Sequence, residues 1–190
     1  LNRCANGLQS LDLGPDVRIA VFAENAVETA MANLGGLVAG ASVVPVNFHL
    51  TAEEVNYILG DSGTRVLFVG PETWERGVEA AQGTEVHTVV AWGAPDGAAV
   101  TSWSDWLAAN DAGEPDQSVP PRPNLLYTSG TTGRPKGTDL PPTMFAGGAT
   151  VDEHLANFKA GVLERSGGVI GPQLVVGPMY HTGPISGTRQ

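Results

Sequence analysis

The sequence predicts an α/β fold, a layered and mostly parallel sheet with flanking helices, and three observations carry that expectation. Short apolar runs recur at strand length: Val17–Ala23, Ser42–Val46, Arg65–Val69 and Glu85–Ala91. Segments with helical spacing or helix-start residues separate them. The alternation has the length of βαβ units, in which a helix carries the chain back for the next strand to run parallel.

Each element has a local reason. Leu1, Ala5, Leu8 and Leu11 recur at helical spacing, and Gly14-Pro15 stops that helix. After the first strand, Asn25 with Glu28 three residues on reads as an Asx cap. The helix it opens places Val27, Ala30, Met31, Leu34 and Val38 on one face, and Gly40 ends it. Gly35 and Gly36 weaken that helix but permit close packing on a sheet. Thr51 and Glu54 form a capping box, with Leu50 and Val55 placed as its hydrophobic staple, and this helix is expected to reach about Gly60. Pro71–Ala81 reads as the next helix and 92–100 as a loop rich in Gly, Ala, Pro and Asp. Ser102 with Asp105 starts a short helix that ends near Asn110. Residues 1–110 thus form one α/β layer, 111–123 an acidic, proline-rich connector, and 124–190 a second region. In that region Asp152–Leu163 is expected to be helical and Leu174–Val176 a short strand.

Composition excludes several classes of function. The formal net charge is −10, from 20 acidic and 10 basic residues, which disfavours nucleic acid and anionic membrane surfaces as partners. Cys4 is the sole cysteine, so there is no internal disulfide and no thiolate cluster, and a reducing cytoplasm fits. His49, His87, His154 and His181 lie far apart without ligand spacing. The uncharged run Ala30–Phe48 contains Gly35, Gly36, Gly40, Pro45 and two asparagines, too polar and broken to span a bilayer.

The chemistry concentrates at Tyr127–Gly137, YTSGTTGRPKG, which packs three glycines, five hydroxyl side chains, an arginine and a lysine into eleven residues. Pro123–Leu126 before it reads as a buried strand. A Gly/Thr/Ser loop at a strand end can turn several backbone N–H groups toward one anion, and hydroxyls add donors that reorient freely. Lys136 would set a compact positive charge against phosphate oxygens. The Walker pattern fails, because no Gly-Lys-Ser/Thr stands at the required spacing. Gly137 and Pro141-Pro142 also prevent a helix from opening after Lys136.

The stretch YTSGTTGRPKG resembles the phosphate loop of the adenylate-forming superfamily: acyl-CoA synthetases, aryl-CoA ligases, luciferases and peptide-synthetase adenylation domains. LNRCANGLQSLDLGPDVRIAVFAEN, LVAGASVVPVNFHLTAEEVNYILGDSGTRVLF and GPMYHTGPISG are similar, in the same order, to further segments of acyl-CoA synthetases. The resemblance departs at Pro142, where many relatives carry a histidine, and at Asp139, which interrupts a usually apolar strand.

The resemblance implies the N-terminal portion of an acyl-CoA synthetase, with a non-catalytic nucleotide- or phosphate-binding module, or a purely structural fragment, as the alternatives. Such an enzyme joins a carboxylic acid (fatty or aryl) to ATP, releasing pyrophosphate, and passes the acyl group to a thiol, usually that of coenzyme A. Thr128, Ser129, Gly130, Thr131, Thr132, Gly133 and Lys136 are then the nucleotide-phosphate residues, with Thr131 or Thr132 approaching Mg2+. Arg134 reads as a solvated loop charge. Tyr180 and His181 correspond to the acyl-pocket segment. On their own residues, Tyr180 either lines a pocket or packs in the core, His181 either faces substrate or makes a structural hydrogen bond, and Met179 reads as core. The family's adenine motif, ribose aspartate and catalytic lysine have no counterpart in these 190 residues. The isolated chain is therefore expected not to form acyl-adenylate at a measurable rate, and to expose a sheet edge open to self-association.

Overall fold

The computed structural model describes residues 1–128, 134–139, 147–168, 171, 174–181 and 183–184. The apolar runs form a five-stranded sheet from β1 (Arg18–Phe22), β2 (Ser42–Val46), β3 (Val66–Val69), β4 (Thr88–Ala91) and β5 (Thr101–Ser102). All neighbours pair in parallel, in the order β2-β1-β3-β4-β5. β1 sits inside, with Ile19 opposite Val43 on one side and Val66 on the other. Successive residues alternate between two apolar layers, as the pleat requires. Ile19 and Val21 join Cys4, Leu8, Phe68, Trp103 and Trp106, whereas Ala20 and Phe22 join Val55, Ile58, Leu59 and Leu67.

α1 (Asn2–Gln9), α2 (Val27–Val38) and α5 (Trp103–Ala109) cover the first layer, and α3 (Ala52–Ser62) with α4 (Trp74–Ala81) covers the second. Two readings of α2 are corrected. Its buried face carries Thr29, Ala32, Asn33, Gly35, Gly36, Leu37 and Val38, not the apolar stripe through Ala30, Met31 and Leu34, and Val27 is 72% exposed. Close approach outweighs side-chain area here. A Cβ on Gly36 would stand 2.6 Å from both Ile19 Cδ1 and Val43 Cγ2, and one on Gly35 would stand 2.7 Å from Cys4 Sγ. The glycines that weaken the helix are thus what let it lie on the sheet. Asn25 also does not cap α2: the helix starts after Ala26 without a side-chain cap. Its end is as expected, with Gly40 at φ +74° and paired bonds from Gly40 N to Leu37 O and from Ala41 N to Gly36 O.

α3 has the predicted capping box. Thr51 Oγ1 accepts from Glu54 N, and Glu54 Oε2 accepts from the Thr51 N–H at 2.8 Å. The helix runs two residues past Gly60 and ends at Gly63, φ +65°. Hydrogen bonds from the Thr51 backbone and hydroxyl hold the Glu54 carboxyl below its usual range. A depressed carboxyl stabilises the fold above its unfolded value, and that contribution fades as pH falls through the lower, folded value. Thr51→Ala should cost about 0.5–2 kcal/mol at neutral pH, with the difference from the parent shrinking in acid. Urea unfolding at two pH values checks this.

The connector is strapped down by the polar face of α1. Asn2, Arg3, Asn6 and Gln9 donate to carbonyls between Leu107 and Asp116, including Arg3 Nη1 to Asn110 O at 2.6 Å and Gln9 Nε2 to Asp116 O at 2.7 Å. Arg122 then donates to Gly40 O and Ser42 Oγ to Pro123 O, which brings β6 (Leu125–Thr128) beside β2. β6 pairs antiparallel with β7 (Lys136–Asp139) as a separate two-stranded sheet. The outer strand β2 is therefore flanked by this hairpin, and the opposite outer strand, β5, is only two residues long. α6 (Val151–Arg165) is capped by Thr150, and its first N–H groups donate to Val119 O and Gln117 O of the connector. The expected strand at Leu174–Val176 is absent: these residues are irregular, with Leu174 88% and Val176 75% exposed. An apolar triplet without a neighbouring ladder has nowhere to place its backbone hydrogen bonds as a strand.

Candidate functional site

The hairpin β6–β7 brackets the glycine-rich loop. Its pairs run Leu125–Asp139, Leu126–Thr138, Tyr127–Gly137 and Thr128–Lys136. Opposed residues in an antiparallel pair share a face, so Thr128 and Lys136 stand together at the loop end, both exposed. Ser129, Gly130, Thr131, Thr132 and Gly133 lie outside the described residues. Tyr127 lies on the other face, with its ring over Gly137: a Cβ there would come 3.2 Å from Leu125 Cδ1 and Tyr127 Cζ.

α3 forms a platform for this hairpin. The Tyr127 hydroxyl donates to Asp61 Oδ2 at 2.6 Å, and the Arg134 guanidinium stacks on the Tyr57 ring at 5.1 Å from its centroid. Tyr57 and Asp61 are four residues apart, hence one turn along the same helix face. Arg134, expected as a solvated charge, is exposed but engaged in this cation–π contact. Burial, then the Asp61 hydrogen bond, raise the Tyr127 hydroxyl well above the usual tyrosine range, so it stays a donor. Tyr127→Phe should loosen the hairpin by about 1 kcal/mol, read as a lower unfolding midpoint, with Asp61→Ala giving a similar loss.

Glu53, Glu54, Tyr57 and Arg134 line a cleft of about 590 Å3 beside the hairpin. Two carboxylates stand against one guanidinium in that cleft, whereas the exposed Thr128–Lys136 pair carries the Lys136 ammonium. A groove of about 540 Å3 lies elsewhere, between α1 and the connector, and is lined by Leu8, Leu13, Val119 and Pro120. Among the described residues no group of three His, Cys, Asp or Glu could hold a metal ion. No helix among them is long and apolar enough to cross a membrane.

Tyr180 and His181 lie at the carboxyl edge of the sheet. The strand order places a topological switch between β1 and β3, the edge where open α/β sheets take ligands. Asn25, three residues past β1, donates from Nδ2 to Gly177 O at 2.9 Å, and its Oδ1 accepts from Met179 N at 2.8 Å. Phe48, two residues past β2, meets the Tyr180 ring edge-on, with centroids 5.8 Å apart. His181 is exposed, with its ring 4.4 Å from that of Tyr180, and Met179 is buried as expected of a packing residue. Arg76 holds the loop carrying Phe48 by donating to Phe48 O, Leu50 O and Glu72 O, with its guanidinium over the Phe22 ring. Glu24 folds down over Gly70, where a Cβ would stand 2.6 Å from Glu24 Oε2.

Sequence reasoning missed Asn25, Phe48, Tyr57 and Asp61 as parts of these sites. Asn25 carried a signal, an amide at a strand's carboxyl end, which a helix-cap assignment absorbed. Tyr57 and Asp61 are ordinary surface positions of an amphipathic helix and carried none.

Comparisons with known proteins identify the family and the fold. The AMP-binding enzyme family matches residues 1–142. The chain is 37% identical over 139 residues to the long-chain-fatty-acid–CoA ligase FadD13 of Mycobacterium tuberculosis (strain H37Rv), covering 72% of this chain and 27% of that protein. It is 37% identical over 142 residues to the fatty acid–[acyl-carrier-protein] ligase ScoC of Streptomyces coeruleorubidus, covering 73% of this chain and 26% of that one. The chain thus spans about a quarter of the length of the curated relatives it matches. Among solved structures it superposes on the inhibitor-bound N-terminal domain of FACL13 from Mycobacterium tuberculosis with a TM-score of 0.68 at 28% identity, covering 99% of this chain and 44% of that one. Its α/β layer with a five-stranded parallel sheet is the corresponding N-terminal portion, and the chain belongs to the AMP-binding enzyme family.

Proposed function

We propose that this chain supplies the triphosphate-holding loop and the first acid-facing side chains of an ATP-dependent acid–thiol ligase. In the first step a carboxylate oxygen bonds to the α-phosphorus of ATP and the bond to pyrophosphate breaks. In the second, a thiol sulfur, that of coenzyme A or an acyl carrier, bonds to the acyl carbon and AMP leaves. The chain's part is to hold the leaving group. Lys136 Nζ and the Thr128 hydroxyl face the β- and γ-phosphates from the mouth of the hairpin, and the loop 129–133 adds backbone N–H groups and hydroxyls. Thr131 or Thr132 would hold Mg2+, which when bound would spread charge over the same phosphates. Tyr180 and His181 form one wall for the acid, fatty or aryl. The setting is the cytoplasm, where Cys4 remains a thiol; burial pushes it up to about 12, so it is an inert packing group.

The observation that carries the reading is the register of Thr128 with Lys136, which closes a Gly/Ser/Thr loop between one hydroxyl and one ammonium at an exposed hairpin end. The test is ATP–pyrophosphate exchange by the ligase that carries this chain, with short, medium, long-chain and aromatic acids. Exchange that requires one class of acid is expected. Exchange with none of them, or at equal rate without acid, would overturn the reading.

A further inference from the structure

We propose that Asn25 is a positioning residue for the acid-binding wall: its amide is a two-point clamp that fixes where Tyr180 and His181 stand, and so which carboxylic acids fit. The proposal rests on the function inferred above.

Four observations carry it. Asn25 is exposed, yet both ends of its amide are used on a backbone segment more than 150 residues away, the donor on Gly177 O and the acceptor on Met179 N–H. A side-chain amide that accepts and donates to one segment mimics a strand partner and sets position along the chain as well as distance. Among the described residues no other hydrogen bond ties 177–181 to a distant part of the chain. Gly177 sits at φ +98°, a conformation only glycine adopts without strain, and a single turn bond, His181 N to Pro178 O at 3.1 Å, shapes the residues after it. The clamp also lies beside the pocket residues it would set: Tyr180 adjoins the Met179 whose N–H Asn25 holds, and the Tyr180 ring is braced by Phe48. Finally, Asn25 leaves the neighbouring helix uncapped. A capping role at α2, the ordinary use of asparagine at this place, is not what its side chain does.

Asn25→Ala removes both contacts, and Asn25→Asp keeps the acceptor for Met179 N–H while losing the donor. In the ligase carrying this chain, Asn25→Ala is expected to raise KM for the acid about tenfold and to shift the preference between short and long acids, with KM for ATP within about twofold. Asn25→Asp should fall between. Amide hydrogen exchange at Met179 should quicken about tenfold in Asn25→Ala and stay near the parent in Asn25→Asp. Unchanged exchange at Met179 in Asn25→Ala would overturn the clamp. Quickened exchange with unaltered acid KM and preference would overturn its role in positioning, as would a drop in unfolding midpoint with all kinetic constants retained. If the parent protein used no acid at all, the proposed function would fall and this role with it, while exchange at Met179 would still report separately on the clamp.

Discussion

Lys136→Ala is expected to lower ATP–pyrophosphate exchange ten- to a hundredfold, the equivalent of about 1.5–3 kcal/mol for one charge-assisted contact. The fold should be unaffected, because Lys136 is exposed and its hairpin place is held by backbone pairing with Thr128. The loss should concentrate in kcat, since negative charge builds on the departing pyrophosphate as the bond to the α-phosphorus breaks. Lys136→Arg should recover part of the rate, because the charge is kept while the compact ammonium geometry is not. Steady-state exchange at saturating acid, with the unfolding midpoint measured beside it, decides between lost chemistry and lost fold.

A comparably large effect, on stability alone, is expected from Phe68→Ala. Phe68 is fully buried on β3 between Val21 and Val90, and its ring meets Trp103 and Trp106 edge-on at 5.9 and 6.1 Å. Trp92 adds a further edge contact to Trp103, so the cavity would open inside an aromatic cluster that joins β3 and β4 to α5. The cost should be about 3–5 kcal/mol, a large share of the roughly 5–15 kcal/mol that stabilises a domain. Phe68→Leu should lose far less, about 1 kcal/mol. Urea unfolding followed by tryptophan fluorescence checks both, and equal losses for the two variants would contradict the aromatic packing.

The elements most legible in the sequence were those whose signal is local. β1 to β4 announced themselves as apolar runs because a parallel strand buried on both faces has no polar side to alternate. Thr51 with Glu54, and Ser102 with Asp105, carried cap chemistry within four residues, and both caps form as expected. What escaped was set by contacts distant in sequence. The buried face of α2 follows the shape of Ile19, Val43 and Cys4, not the count of apolar side chains. β5 is two residues long, below any periodic signal, and the apolar Leu174–Val176 lacks a ladder to join. At the candidate site, the glycine-rich composition between Tyr127 and Gly137 was plain. Its support by Tyr57 and Asp61 depends on where α3 lands, which no local pattern encodes.

Whether the loop between Thr128 and Lys136 holds the pyrophosphate half of ATP is tested most directly by a titration. Inorganic pyrophosphate with Mg2+ is added to the isotope-labelled chain, and each backbone amide is followed. Saturable shifts centred on residues 128–137, weakened about tenfold in Lys136→Ala, are the predicted result. Shifts centred instead on the groove between α1 and the connector, or a response indifferent to Lys136, would contradict it.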